Sequence, residues 1–327
     1  MLPVPGESAT ARRMNKTEGN RPAGVITPLL TPFNRDHSIA TDLYLEHAAA
    51  CLSDGAHYLS PFGTTGEAAS HSMRERMEML ELLVSSGTAP AHRLMPGTGL
   101  CSIEESLTLT RHAMELGCAA TMMLPPYFFV NATDEGLYRH FSELLEAIGP
   151  AGPRVCLYHI PQMTRVGIGP ALASRLNEAF PEGVVAYKDS SGDWDNTHAV
   201  IRAAPGLAVF PASESLMIRA MRLGGGGCIS ASCNSNVSAI RAMYDTAAQG
   251  RYDEAEKHLE SLDRHRAALQ EGGLIPSLKS LKAHVTGDPR WLTLRPPLED
   301  ADPEAGPKLR RTVGHGHTIS GVHHDRQ

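Results

Sequence analysis

A chain of 327 residues with 42% apolar and 20% charged residues has an ordinary globular composition and ample material for a sizeable core. Its formal net charge of -6 gives no basic surface for nucleic acid, and no apolar stretch approaches the roughly 20 residues of a membrane span. Residues 1–20 contain charge and proline but no apolar h-region, so they are expected to form a flexible extension and not a secretory signal.

Short apolar, β-branched runs then recur along the chain: GVITPLLTPF (24–33), HYLSPFG (57–63), RLMPGTG (93–99), AATMMLPP (119–126), RVCLYHIP (154–161), VVAYKDSS (184–191), LAVFPASE (207–214) and GCISAS (227–232). Runs apolar on both faces suit a parallel sheet covered on one side by helices. The intervening segments carry helix signals. Ser72 to Glu75 is a capping box, Ser102 to Glu105 opens the next helix, and Gly117 stands where a left-handed stop is wanted. Eight such units between residues 24 and 232 predict an α/β fold, a (β/α)8 TIM barrel. A doubly wound open sheet is the alternative, but no G-x-G-x-x-G follows the first run. Gly224–Gly227 precedes the last run, so it is expected to be a tightly packed turn at the bottom of the barrel and not a phosphate loop. The expected domains are the barrel at 21–235, C-terminal helices at 236–313 and a disordered tail at 314–327.

Six cysteines without a C-x-x-C pair are expected to be buried reduced thiols of a cytoplasmic protein. Sixteen histidines include no H-E-x-x-H. The dense group His315, His317, His323 and His324 lies in the Gly-rich tail, so no metal site is expected.

Barrel active sites lie at the C-terminal ends of the strands. Three of the runs end in Gly63-Thr64-Thr65-Gly66-Glu67, in Tyr158-His159-Ile160-Pro161 and in Lys188-Asp189-Ser190-Ser191-Gly192. A lysine closing an apolar strand can be a desolvated nucleophile, or a rim residue paired with Asp189 or a neighbouring carboxylate. GTTGE can cradle a small anion through backbone N–H groups and hydroxyls, or can be an ordinary connection. Tyr158 can shuttle protons, or can be a half-buried aromatic. Together they supply an amine, an anion site and an acid–base group at one mouth.

GTTGE, Y-x-x-P and KDSSG in this order resemble the family of dihydrodipicolinate synthase and N-acetylneuraminate lyase, which also includes 2-keto-3-deoxygluconate aldolases and related dehydratases. The likeness spans roughly residues 22–313. It implies that Lys188 forms an imine with pyruvate or a longer 2-keto acid, that Tyr158 moves protons and that Thr64 relays them. It further implies that Thr65, Gly63 and the adjacent amides hold the carboxylate, and that Ala212 and Ile229 line the site. No metal or organic cofactor is implied, and the implied assembly is a homotetramer of tight dimers.

Two positions depart from the family's pattern. Met163 stands where the synthases carry an arginine that grips a second carboxylate, with Arg165 two residues further on. This disfavours lysine biosynthesis and resembles the sugar-acid aldolase branch. In PPYFFV (125–130) the tyrosine that reaches a neighbouring subunit falls on Phe128, or on Tyr127 if the register shifts by one. The expected function is therefore a Schiff-base lyase cleaving or condensing a 2-keto acid such as a 2-keto-3-deoxy sugar acid. A dehydratase, a synthase-like condensation and a non-catalytic keto-acid-binding regulator are the alternatives. Specificity is assigned to side chains such as Met163, Arg165, Glu214 and Ser232.

Overall fold

Alternation of short strands and helices begins at residue 24 in the computed structural model, which describes residues 21–149, 152 and 154–313. The strands are β1 (Gly24–Thr27), β2 (Tyr58–Leu59), β3 (Thr121–Met123), β4 (Val155–His159), β5 (Val184–Asp189), β6 (Ala208–Pro211) and β7 (Gly227–Ile229). They pair in parallel in the orders β2-β1-β7 and β3-β4-β5-β6.

The gap between β2 and β3 is filled by the third apolar run, which makes only single bridges, Leu59 to Leu94 and Gly97 to Met122. Its pairing is nevertheless continuous: Met95 N–H donates to Leu59 O at 2.8 Å and Met122 N–H to Pro96 O at 2.8 Å. Gly226 N–H bonds Val209 O at 2.9 Å where β6 meets β7. These contacts join eight staves into the (β/α)8 barrel that the rhythm predicts.

The regular strands are shorter than the apolar runs, and proline is the reason. Pro28 has no N–H to donate, so the regular strand β1 ends at Thr27, although Leu29 N–H still bonds Ser60 O at 3.1 Å. Pro96 interrupts the third stave in the same way. Beside it Gly97 permits a close approach, since a Cβ there would lie 2.0 Å from Phe62 O. The Gly224–Gly227 segment is a packed turn, as expected. A Cβ on Gly226 would meet the Phe210 ring at 2.7 Å, and one on Gly227 would lie 2.0 Å from Gly24 O.

Capping signals translate directly. The helix Met73–Ser85 (α2, after α1 at Thr41–Ser53) opens with the reciprocal Ser72–Glu75 box. The helix Ile103–Glu115 (α3) opens with Ser102 accepting from Glu105 N–H, and Gly117 follows it with φ 84°. The helices α4 (Asp134–Ile148), α5 (Pro161–Thr164), α6 (Pro170–Ala179), α7 (Trp194–Ala203) and α8 (Met217–Met221) come next. Then α9 (Cys233–Ala248) contributes Val237 and Ile240 to the apolar layer that holds Val25 of β1. The boundary expected after residue 235 falls inside α9, so we place the helical addition beyond it. That addition comprises α10 (Tyr252–Ala255), α11 (Leu259–Glu271), α12 (Leu274–Thr286) and α13 (Ala305–Val313).

The pleat sorts side chains between two environments. Tyr187 points outward, buried among helices, with its hydroxyl donating to Ile168 O at 2.6 Å. Ala186 lies inside the barrel with Met95, Met122, Tyr158, Phe210 and Ile229. Lys188 shares the parity of Ala186 and is therefore inward.

One buried ion pair ties the addition to the barrel. Lys279 Nζ of α12 lies 2.5 Å from Glu67 Oε1, both side chains being fully buried; the contact is ionic and lacks the alignment of a good hydrogen bond. Lys279 also donates to Thr293 O at 2.8 Å, and Glu67 Oε2 accepts from Arg295 N–H at 3.1 Å. Burial pushes the lysine down to about 8, with Glu67 opposing. Lys279→Met should cost about 3–5 kcal/mol in denaturant unfolding, because it strands a buried carboxylate. Adding Glu67→Gln should restore much of that loss; a double variant no more stable than the single would show that the charge is not the cause.

No helix among the described residues is long and apolar enough to cross a membrane. All six cysteines are free; five are buried, whereas Cys101 is exposed, contrary to expectation, because it precedes α3 at the surface. Residues 1–20 and the tail with His315, His317, His323 and His324 lie outside the described residues.

Candidate active site

Tyr158 of β4 and Lys188 of β5 face each other as register partners at the C-terminal ends of their strands. The Lys188 amine lies 4.0 Å from the centroid of the Tyr158 ring, and both residues are only 3% exposed. No carboxylate lies within ion-pair distance of Lys188 among the described residues. Asp189, its neighbour in sequence, is on the opposite face and is fully engaged. It accepts from Ser191 N–H and Oγ, from Asn196 Nδ2 and from Thr197 Oγ1 at 2.6 to 2.9 Å. This excludes the rim pair with Asp189. What remains is a buried amine set against an aromatic face, with no carboxylate beside it among the described residues.

A second nucleophilic group nearby, the Cys156 thiol, is muted. Burial pushes it up to about 12, so it stays protonated inside the barrel.

The GTTGE segment places Thr64 opposite the tyrosine. Thr64 Oγ1 and Tyr158 Oη are 3.0 Å apart, close enough to pass a proton. Thr64–Gly66 form one 3-10 turn, which Glu67 leaves in a left-handed conformation with φ 57°. The turn consumes several of its own donors. Gly66 and Ala68 N–H bond Gly63 O, and Glu67 N–H bonds Thr64 O. The anion cradle expected of the whole segment therefore narrows to Thr64 and Thr65, whose amides make no hydrogen bond within the described residues.

Two adjoining cavities open around the Thr64–Tyr158 pair. The larger, about 450 Å3, is lined by Lys188, Tyr158, Thr64, Thr65, Ala212, Ile229 and Met163. The smaller, about 330 Å3, is lined by Gly63, Tyr127, Arg76 and Glu67, and shares Thr64, Tyr158 and Met163. The eight residues assigned to catalysis or to holding the keto acid thus meet at one mouth, whereas Arg165, Glu214 and Ser232 line neither cavity. Leu274, Ile275 and Pro276 of α12 roof the larger cavity.

Arg165 lines neither cavity and caps the short α5 at φ 59°, so it does not replace the arginine absent at Met163. Tyr127 faces the smaller cavity, and burial followed by the Cys101 thiol raises its phenol above the usual range. Phe128 lines neither cavity and is 77% exposed.

Sequence reasoning missed Arg266 and Gln270 of α11 and Gln162 of α5, all of which line the larger cavity. Arg266 lies in the amphipathic segment RYDEAEKHLESLDRHRAALQEG, where nothing local distinguishes it from its solvated neighbours. Among the described residues no group of three His, Cys, Asp or Glu could hold a metal ion.

A model of the Dihydrodipicolinate synthetase family matches residues 21–315. A 4-hydroxy-tetrahydrodipicolinate synthase of Thermus thermophilus is 34% identical over 88% of this chain and 94% of its own length. The crystal structure of dihydrodipicolinate synthase from Agrobacterium tumefaciens superposes with a TM-score of 0.81 at 33% identity, covering 88% of this chain and 97% of that one. A variant of the Sulfolobus solfataricus 2-keto-3-deoxygluconate aldolase gives 0.78 at 23% identity, covering 89% of this chain and 94% of that one; at that identity the likeness is one of fold. The chain belongs to the dihydrodipicolinate synthetase family.

Proposed function

We propose that this protein is a class I lyase in which Lys188 forms an imine with a 2-keto acid, pyruvate being substrate or product. The observation that carries this is the amine itself. It is buried in the barrel mouth, without a carboxylate partner among the described residues and 4.0 Å over the ring of Tyr158, whose hydroxyl is 3.0 Å from Thr64. A structural lysine at this depth would be expected to have an anion beside it, as Lys279 has Glu67.

The arrangement performs the chemistry as follows. The keto acid's carboxylate binds the free amides of Thr64 and Thr65, which brings C2 to the lysine. The amine adds to C2 and water leaves, and the resulting iminium draws electrons from the C3 side. In the cleavage direction Tyr158 takes the proton of the C4 hydroxyl as the C3–C4 bond breaks. The electron pair moves into the enamine, C3 is then protonated, and hydrolysis frees pyruvate and Lys188. Thr64 passes the tyrosine's proton to and from solvent. Ala212 and Ile229 wall the methylene side, and Met163 offers the distal part an apolar contact.

The names of the relatives lean towards the synthase, whereas Met163 departs from it. We therefore favour aldol cleavage or condensation of a 2-keto-3-deoxy acid over the synthase reaction. A dehydratase would use the same imine and return a keto acid of unchanged carbon number. Borohydride reduction in the presence of pyruvate should add a pyruvate-derived mass to the peptide holding Lys188. Its absence there would overturn the imine and favour a non-catalytic binder.

We further propose a homotetramer built from dimers. Phe128, Phe129 and Val130 form an apolar tip that its own chain leaves uncovered, being 77%, 76% and 54% exposed. It adjoins Tyr127 at the smaller cavity, so a second copy covering it would also close that cavity. The molecular mass in solution checks this: a monomer at micromolar concentration would refute it.

A further inference from the structure

The larger cavity contains a second basic side chain that the imine chemistry does not use. Its lining includes Lys188 and Arg266 and no aspartate or glutamate. Arg266 comes from α11, in the helical addition, and reaches across to the ends of the barrel strands.

Its side chain is held from behind. Nη1 donates to Glu214 Oε2 at 3.3 Å, to Ser230 Oγ at 3.1 Å and to Ser232 Oγ at 3.4 Å. Ser230 Oγ in turn donates to Glu214 Oε2 at 2.5 Å, and Glu214 is completely buried. Every hydrogen bond that Arg266 makes runs through Nη1, so the edge formed by Nε and Nη2 is uncommitted within the described residues. A guanidinium edge of two parallel N–H groups matches the two oxygens of a carboxylate. Gln270 lies four residues on, on the same face of α11, and lines the same cavity with a neutral amide.

We propose that Arg266 is a specificity residue that binds a carboxylate at the far end of the 2-keto acid held on Lys188. The substrate class is then those of the 2-keto-3-deoxy acids proposed above that carry a second, distal carboxylate. This rests on the imine proposed above. Arg266 enters from α11 and not from the Met163 side, and Glu214 with the two serines fixes its position before substrate arrives. A merely structural Arg266, fastening α11 to the barrel through Glu214, would affect stability but not the choice among keto acids.

The test uses the full chain and borohydride trapping at Lys188, quantified by mass across a concentration series. The probes are 2-oxoglutarate and 2-oxoadipate, against 2-oxopentanoate and 2-oxohexanoate, which match them in length but end in a methyl group. Pyruvate is measured alongside on every protein. Wild type should trap the dicarboxylates at concentrations about tenfold or more below those of their partners, as a charge-assisted pair predicts. Arg266→Gln should bring that ratio towards one, with Arg266→Lys, which keeps the charge but loses the fork, falling between. A wild type that traps pyruvate yet shows no dicarboxylate preference overturns the role of Arg266 and leaves the imine standing. A preference that survives in Arg266→Gln does the same. Absence of an adduct with every keto acid, pyruvate included, overturns the imine and this proposal with it.

Discussion

Lys188→Ala is expected to abolish the pyruvate adduct and to lower kcat/KM by a factor on the order of 10^4 or more, as loss of a nucleophile does. The fold should tolerate the change. Among the described residues Lys188 has no ion-pair partner to be stranded, and it shares the mouth with Tyr158, Ala212 and Ile229. Lys188→Arg should be as inactive as the alanine variant, since a guanidinium keeps its charge and cannot add to a ketone. Rates are best followed as pyruvate release from a panel of 2-keto-3-deoxy acids. An alanine variant that turned over at a rate comparable to wild type would remove the imine mechanism.

Tyr158→Phe carries the second large effect. The ring under the Lys188 amine is retained, so the 4.0 Å contact and the packing persist, while the hydroxyl 3.0 Å from Thr64 is lost. Positioned acid–base groups contribute about 10^2–10^4-fold, and kcat should fall within that range. Imine formation with pyruvate should survive, more slowly, so trapping and turnover should separate. Thr64→Val removes the other end of the same relay. Because the two hydroxyls act in series, the double variant should be little worse than Tyr158→Phe alone. Multiplicative losses would mean that Thr64 acts independently of the tyrosine, for instance by holding the carboxylate.

These expectations stand on a site whose parts were unequally visible in the chain. The strand rhythm, the Ser72–Glu75 box and Gly117 are local features, set by backbone geometry within a few residues, and the structure reproduces them. The lengths of the strands were less legible, because Pro28 and Pro96 end regular pairing inside runs that remain apolar. GTTGE was recognisable as a turn, yet which amides stay free depended on how it closes on Gly63.

Lys188 itself illustrates the division. Its position at the end of an apolar strand, in the order GTTGE, Tyr158, KDSSG, was written in the sequence, and alternation put it on the face of Ala186. Whether it paired with Asp189 was not, and the fold decides this by turning that carboxylate outward onto Ser191, Asn196 and Thr197. Arg266 and the Lys279–Glu67 pair lay wholly beyond sequence reasoning. Each is a meeting of residues far apart in the chain, made when the C-terminal helices fold back over the mouth. Periodicity reports which face of an element is buried; only the packing of one element on another determines which charge meets which.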